Sequence, residues 1–466
     1  MSHDLLFENN RRAFLGSTTG LLGSAALAHL LQAKVGAQDV SPPSHSAPTA
    51  DAVICLFQHG GPSQMDLFDE KTELTKRHGQ AYEGDLDIHF SNQAGKILAS
   101  PFRFRRCGEA GIPLSEILSH TGTIADDMTL VRSVTTESFD HESALRLIHS
   151  GKFEAGFPTW GSWVIYGLGT SNRNLPAYVV LTDPAGMPVD NVRNWTSGWL
   201  PARFQGTVFR SGKSPVPNLA TPADIPGGAR LRQHHLLRAL NADHLSRYPG
   251  DAELTTRISN FEVAARMQTA VPELLDLSQE TQSTQRMYGL DNPTTAEYGT
   301  RCLIARRLIE RGVRFVQLFL SGQPWDTHSN NDAGLRKNCA RIDQPSAALV
   351  KDLKQRGLLD RTIVMWGGEF GRLPISQGKD GRDHNRHANS LWLAGGGFKR
   401  GYAHGSTDDF GYKAVSDVVT VHDLHATLLQ ALGLDHLGLT WPHDGRPGSL
   451  TDVAITKARV VPELLG

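Results

Sequence analysis

The chain has 466 residues, and its 47 Lys and Arg against 48 Asp and Glu leave a formal charge of −1, a balance that argues against nucleic acid or an anionic membrane surface as partner. Its length is enough for a large core and for as many as two or three domains. Cys55, Cys107, Cys302 and Cys339 show no Cys-x-x-Cys spacing, which removes the usual thiolate metal and redox motifs, whereas several of the 20 histidines stand beside Asp or Glu in turn-like segments.

In chain order, Asn10-Arg11-Arg12-Ala13-Phe14-Leu15-Gly16 places two arginines before a mildly apolar stretch from Leu21 to Leu31, which Gly23 and His29 interrupt. This reads as a twin-arginine signal peptide over residues 1–37, with cleavage expected after Ala37. The apolar run is shorter than the roughly 20 residues a spanning helix needs. The expectation is therefore an exported protein, periplasmic or secreted, with no stable membrane span after signal cleavage. Residues 38–51, rich in Pro, Ser and Ala, read as a linker, and structure is expected from Ala52.

Short buried-strand patterns follow at Ala52 to Gln58, Ala177 to Thr182, Val313 to Leu320, Thr362 to Trp366 and Ser390 to Ala394. Helical patterns lie between the later ones. The clearest runs from about Asp332 to Arg356 with Ile342, Ala347, Leu349, Val350 and Leu353 as its apolar stripe. The alternation predicts an α/β fold with a mainly parallel sheet flanked by helices. Residues 187–298 read differently: Gly- and Pro-rich sequence, then helices at Leu231 to Leu245 and Asp251 to Ala270, which suggests a largely helical insertion.

In open α/β sheets ligands bind outside the carboxyl ends of the strands, so the segments after the strands carry the functional argument. After the first come His59, Ser63 and Asp66 on a Gly-Gly-Pro turn, and after the third comes Trp325-Asp326-Thr327-His328. After the fourth come Glu369 and Arg372 among glycines, and before the fifth lie Arg382, Asp383, His384 and His387. A carboxylate with imidazoles suits zinc, manganese or iron better than calcium, which prefers oxygen ligands. An arginine there can grip an anion. His422 and His425, three apart at the start of an amphipathic helix, read as structural.

Six segments in this order resemble the family called domain of unknown function 1501, a sulfatase-like branch of the alkaline phosphatase superfamily. They are FQHGGPSQMDLFDEK, PTWGSWVIYGLG, WDTHSNN, DRTIVMWGGEFGR, GKDGRDHNRHANSLWLAGGGFKRGYAHGSTDD and TVHDLHATLLQALGLDHLGLT. The resemblance spans essentially the whole chain after the linker, with Leu373 where threonine is expected and a looser match from Arg446 to Val453. It implies an alkaline phosphatase or sulfatase-like sheet carrying one or two divalent ions that bind a phosphate or sulfate ester.

On that pattern Asp326, His328 and His384 are ligands of one ion, with His387 the substitute should His384 point away. Glu369 stands at the second ion's position, but Phe370 replaces the histidine usually beside it, so that ion would draw on His59 or Asp66. Arg372 and Arg382 would neutralise the ester. The family's nucleophile position falls on His141, with no cysteine to support a formylglycine mechanism. His141 is then a nucleophile or acid/base group, the base for an attacking Ser143, or an extra metal ligand beside an attacking water; the last is preferred.

The expectation is an exported metal-dependent hydrolase of a small anionic ester or sulfated carbohydrate. The rival is a metal-containing binding or assembly protein on the same fold without turnover. A metal-dependent isomerase or mutase of the superfamily is disfavoured by the missing hydroxyl nucleophile.

Overall fold

The structure, a computed structural model, describes residues 47–170, 172–210, 215–216 and 227–466. The twin-arginine run, the cleavage site and most of the linker lie outside the described residues. The chain divides into two compact units. One is built from described residues between 47 and 216 and from 260–466; the other holds helix Gly227–Arg247 and the first turns of helix Ala252–Leu275.

The larger unit is built on a nine-stranded sheet. Its strands are β1 (Ala52–Phe57), β2 (Met128–Thr135), β3 (Tyr178–Leu181), β4 (Thr207–Phe209), β5 (Phe315–Phe319), β6 (Thr362–Gly367), β7 (Asn389–Ala394), β8 (Tyr402–His404) and β9 (Val419–Thr420). The spatial order is β8-β2-β7-β6-β1-β5-β3-β4, with β9 also pairing to β2. Neighbours run parallel except at β7, which is antiparallel to both β6 and β2. The α/β class with a mainly parallel sheet is as expected from the strand patterns. Strand β4 lies within the 187–298 segment read as an insertion and extends the sheet edge beside β3. Strands β2 and β8 were not among the expected runs, because Arg132 and Ser133 break the apolar pattern of one and the other is only three residues long.

Burial on both faces explains the near-continuous apolar strands. Along β1, Ile54 and Leu56 face one core while Val53, Cys55 and Phe57 face the other. The same alternation splits Val364 and Trp366 from Ile363 and Met365 in β6. The first core is closed by helices Ala296–Glu310 and Asn331–Gln355; the expected stripe of Ile342, Ala347, Leu349, Val350 and Leu353 is buried there, joined by Leu335 and Cys339. The second is closed by α1 (His141–Ser150), α2 (Trp160–Leu168) and α3 (Val421–Ala431). All four cysteines are free thiols. Among the described residues no helix is long and apolar enough to cross a membrane.

The register brings the site loops together. Phe57 of β1 is level with Phe319 of β5 and Gly367 of β6, so the segments that follow leave the sheet at one edge. Because β7 runs the other way, with Trp392 beside Trp366 and Ala394 beside Val364, its start lies at that same edge. A segment that precedes a strand thereby joins segments that follow strands.

Candidate metal centre

Close backbone contacts hold these loops in place. Gly60, with φ of +106°, lies so close to the β5 loop that a Cβ there would stand 2.5 Å from the Asp326 nitrogen. Gly381 faces His328 in the same way, and its Cβ would fall 1.8 Å from the His328 carbonyl oxygen. Any side chain at either position would drive the loops apart. A short antiparallel ribbon, Gly371–Arg372 with His384–Asn385, sets Arg372 opposite His384. The fourth contributor, His141, is the first residue of α1, whose start is capped by the Asp140 carboxylate accepting the Ser143 N–H at 3.1 Å.

His141, Asp326, His328 and His384 converge, each offering a ligand atom within 4.8 Å of all the others. Nε2 of His328 stands 2.9 Å from Asp326 Oδ1, Nε2 of His384 3.2 Å and Nε2 of His141 3.3 Å. Atoms bound at about 2.0–2.2 Å to one tetrahedral ion stand roughly 3.3–3.6 Å apart; the three separations from Asp326 Oδ1 lie at or just below that range and the whole group within 4.8 Å, so the four residues are grouped closely enough to be candidates for one ion. Three imidazoles and one carboxylate suit zinc, manganese or iron. The Asp326 and His328 side chains are 19% and 29% exposed, which leaves the centre open to solvent on their side.

The charges are unevenly placed. Burial would raise the Asp326 pKa, but its contacts with the three imidazoles and the Arg372 guanidinium, 2.7 Å away, hold it far below the ordinary carboxylate range. His141 is lifted to about 9: burial opposes its charge, and the contacts with Asp326 and Glu369 prevail. His384 is pushed down to about 4 by burial, with the Asp326 contact opposing and Arg372 assisting.

The other expected site residues have different partners. Glu369 stands beside the four-residue group: its Oε1 receives His141 Nδ1 at 2.7 Å and the Gly60 N–H at 2.9 Å, while its buried Oε2 has no hydrogen-bond partner. His59 packs against Phe57 and Phe319 with neither ring nitrogen hydrogen-bonded, and burial pushes it down to about 4. Asp66 is no member of the metal group, because its oxygens are taken by Arg382 at 2.7 and 3.0 Å, Ser63 at 2.6 Å and Asn331 at 2.9 Å.

The two arginines expected to neutralise an ester are fully buried and committed elsewhere. Besides Asp66, Arg382 donates to the Leu373 and Leu98 carbonyls. Arg372 donates to the carbonyls of Gly61, Arg382, Gly60 and Trp325 as well as to Asp326. Both tie loops together. The Ser143 hydroxyl bonds Ser138 and Asp140, and both ring nitrogens of His141 point at carboxylates, so His141 is not placed as a base for Ser143. His387 lies beside Asp87 and Tyr412, outside the group, and it is His384 that points inward.

Three neighbours went unnoticed in the sequence: Gln377, whose Oε1 meets His328 Nδ1; the Phe139 carbonyl, 2.6 Å from His384 Nδ1; and the exposed His89, whose ring lies 5.3 Å from that of His384. A lone glutamine at the end of the short strand Ile375–Gln377 and a backbone carbonyl carry no sequence signal.

Fold and site together define an α/β protein with a candidate three-imidazole, one-carboxylate metal centre at the carboxyl edge of its sheet. The chain belongs to the family described as "Protein of unknown function (DUF1501)", which it matches over residues 50–465. Among curated proteins none matches this sequence. Solved structures similar to it include a sulfatase from Pseudoalteromonas sp., at 11% identity over 83% of this chain and 68% of that one, with a TM-score of 0.36. A phosphonate monoester hydrolase from Silicibacter pomeroyi is 10% identical over 88% of this chain and 77% of that one, with a TM-score of 0.34. The lipoteichoic acid synthase LtaP from Listeria monocytogenes is 7% identical over 88% and 78% respectively, also at 0.34.

Proposed function

We propose that this chain is an exported, metal-dependent hydrolase acting on a sulfate or phosphate ester, with sulfated carbohydrate among its candidate substrates. The observation that carries the reading is the convergence of His141, Asp326, His328 and His384 from three separate segments of the chain on one solvent-facing point. A divalent ion there would supply Lewis-acid polarisation of an ester oxygen and make water a competent nucleophile near neutral pH. Asp326 would bring the negative charge and the three imidazoles would bring neutral donors, His141 giving up its Nε2 proton as the ion binds. Arg372 holds Asp326 in place through Oδ1. With the Ser143 hydroxyl engaged by Ser138 and Asp140, attack by water is the reading that needs no further side chain. Export of the folded chain by the twin-arginine route belongs to the same proposal, since a ligand set drawn from distant loops exists only after folding.

The second reading, a metal-containing binding or assembly protein, is favoured by one observation: the buried Arg372 and Arg382 spend their donors on loop carbonyls, Asp326 and Asp66. The mature chain loaded with zinc, manganese or ferrous iron, assayed on para-nitrophenyl sulfate, para-nitrophenyl phosphate and sulfated monosaccharides, separates the two. Turnover that disappears in His384→Ala is expected. Stoichiometric metal with no turnover on any of these substrates rejects the hydrolase in favour of the binding protein.

A further inference from the structure

The three imidazoles of the centre share one pattern. Nδ1 of His141 faces Glu369 Oε1 at 2.7 Å, Nδ1 of His384 faces the Phe139 carbonyl at 2.6 Å, and Nδ1 of His328 faces Gln377 Oε1. A carboxylate oxygen and a carbonyl oxygen can only accept, so in the first two pairs the proton sits on Nδ1. In the third the facing atom is Gln377 Oε1, while Gln377 Nε2 donates to Gln93 Oε1 at 2.8 Å. Glu369 is itself held by the Gly60 N–H, and the Gly60 carbonyl receives Arg372, which reaches Asp326. One glycine, through its N–H and its carbonyl, thus braces the supports of two of the four groups.

We infer that Glu369, Gln377 and the Phe139 carbonyl form an outer shell of hydrogen-bond acceptors that locks all three histidines with Nδ1 protonated, so that their Nε2 lone pairs converge with Asp326 on a single ion. Glu369 is then a positioning residue for His141 and not a ligand of a second ion. The inference rests on the metal reading proposed above. It deepens that reading by assigning ligand atoms and by distinguishing residues that touch the ion from residues that orient them. Outer acceptors of this kind fix ring orientation and raise ligand basicity, and their loss typically costs about 10- to 100-fold in metal affinity.

The competing arrangement is specific. Glu369 Oε2 and both ring nitrogens of the neighbouring His59 are buried without hydrogen-bond partners, and a second ion between them would use those atoms. Zinc titration of the mature chain and of Glu369→Gln, Gln377→Leu and Gln377→Glu, by chelator competition with elemental analysis, distinguishes the two arrangements. Two-bond proton–nitrogen NMR of histidine-labelled, zinc-loaded protein adds the ligating atom.

The expected result is one zinc per chain in wild type and in every variant. Affinity should fall about 10- to 100-fold in Glu369→Gln and Gln377→Leu and be restored in Gln377→Glu, and the wild-type spectrum should show three Nε2-ligated rings. Gln377 lies away from Glu369's supports, so its two variants test the shell even where Glu369→Gln folds poorly. A stoichiometry that drops from two to one in Glu369→Gln, an Nδ1-ligated His141, or unchanged affinity in both weakening variants overturns the outer shell while leaving the metal reading standing. Wild-type protein that binds no zinc, manganese or iron overturns both.

Discussion

Two groups of histidines in this chain, both largely withdrawn from solvent, differ in what their ring nitrogens face. In the centre, His141, His328 and His384 turn Nδ1 outward to oxygen acceptors and Nε2 inward to the one carboxylate of Asp326. On α3, His422 and His425 lie on one helical face at a spacing that could bind metal, yet Nε2 of each donates to a carbonyl at the end of α1, Gly151 and Ile148, both at 2.9 Å. No carboxylate joins them in a metal-sized group among the described residues. The comparison teaches that spacing along a helix supplies only proximity. On the proposed reading, a shared anion and an outer shell that fixes the tautomer are what would make ligands of imidazoles.

Removing the anion breaks the comparison most completely. Asp326→Asn keeps the volume but not the charge, and zinc measured by elemental analysis should fall from one ion per chain to background, with any ester hydrolysis lost in parallel. Retained stoichiometric zinc would mean that the three imidazoles suffice and that Asp326 is not central. Asp66 makes the contrasting case, a carboxylate at the same edge whose charge is spent on structure. Asp66→Asn leaves the Arg382 guanidinium buried without its counter-charge, and breaking such a pair typically costs about 3–5 kcal/mol. Urea unfolding should record that loss while zinc affinity stays within about threefold, an expectation drawn from the absence of Asp66 from the ligand group.

The same pair governs acid sensitivity. Burial would raise the Asp66 pKa, but Arg382, Ser63 and Asn331 hold it below its ordinary value. A carboxylate with a depressed folded pKa contributes stability above its unfolded pKa of about 3.9, and that stability is lost as pH falls through the folded value. Wild type should therefore lose stability below about pH 4 with a slope that Asp66→Asn reduces; equal slopes would show that other carboxylates carry the acid transition.

How far the sequence could be read depended on whether a feature is local. The stripe from Ile342 to Leu353 and the apolar runs of β1, β3, β5, β6 and β7 were legible because burial imposes a period on neighbouring residues. Strand β2, with Arg132 and Ser133 inside it, hid its period. Asp326, His328 and His384 were legible through position, as loops at strand ends, and through the family resemblance that also drew attention to His141. The roles of Arg372 and Arg382 were not. An arginine that grips an ester and one that ties loop carbonyls together are the same letter, and the deciding partner, Asp66 for Arg382, lies 316 residues away in the chain. Gln377 was illegible for the same reason, its meaning residing in its contact with His328, 49 residues away in the chain.

The smallest expected effect sharpens the other half of the comparison. His425→Leu removes a hydrogen bond to the Ile148 carbonyl near the end of α1 but fills the site with apolar volume, so a net loss of about 1 kcal/mol is expected, with zinc affinity unchanged. Its pH dependence is more telling than its size. Burial, aided by the nearby His422, pushes the His425 imidazole down to about 3, so the folded protein holds it neutral while the unfolded chain takes up a proton below about pH 6.5. The unfolded state then binds more protons between those two values, and stability contributed by the neutral ring, present above about pH 6.5, declines as pH falls toward 3. His425→Leu should remove that part of the decline, making the variant less stable than wild type at pH 7.5 and closer to it, or above it, at pH 5. Urea titrations at the two pH values check this, and a variant whose deficit is the same at both would place the His425 charge, like that of a metal ligand, under control of something other than burial.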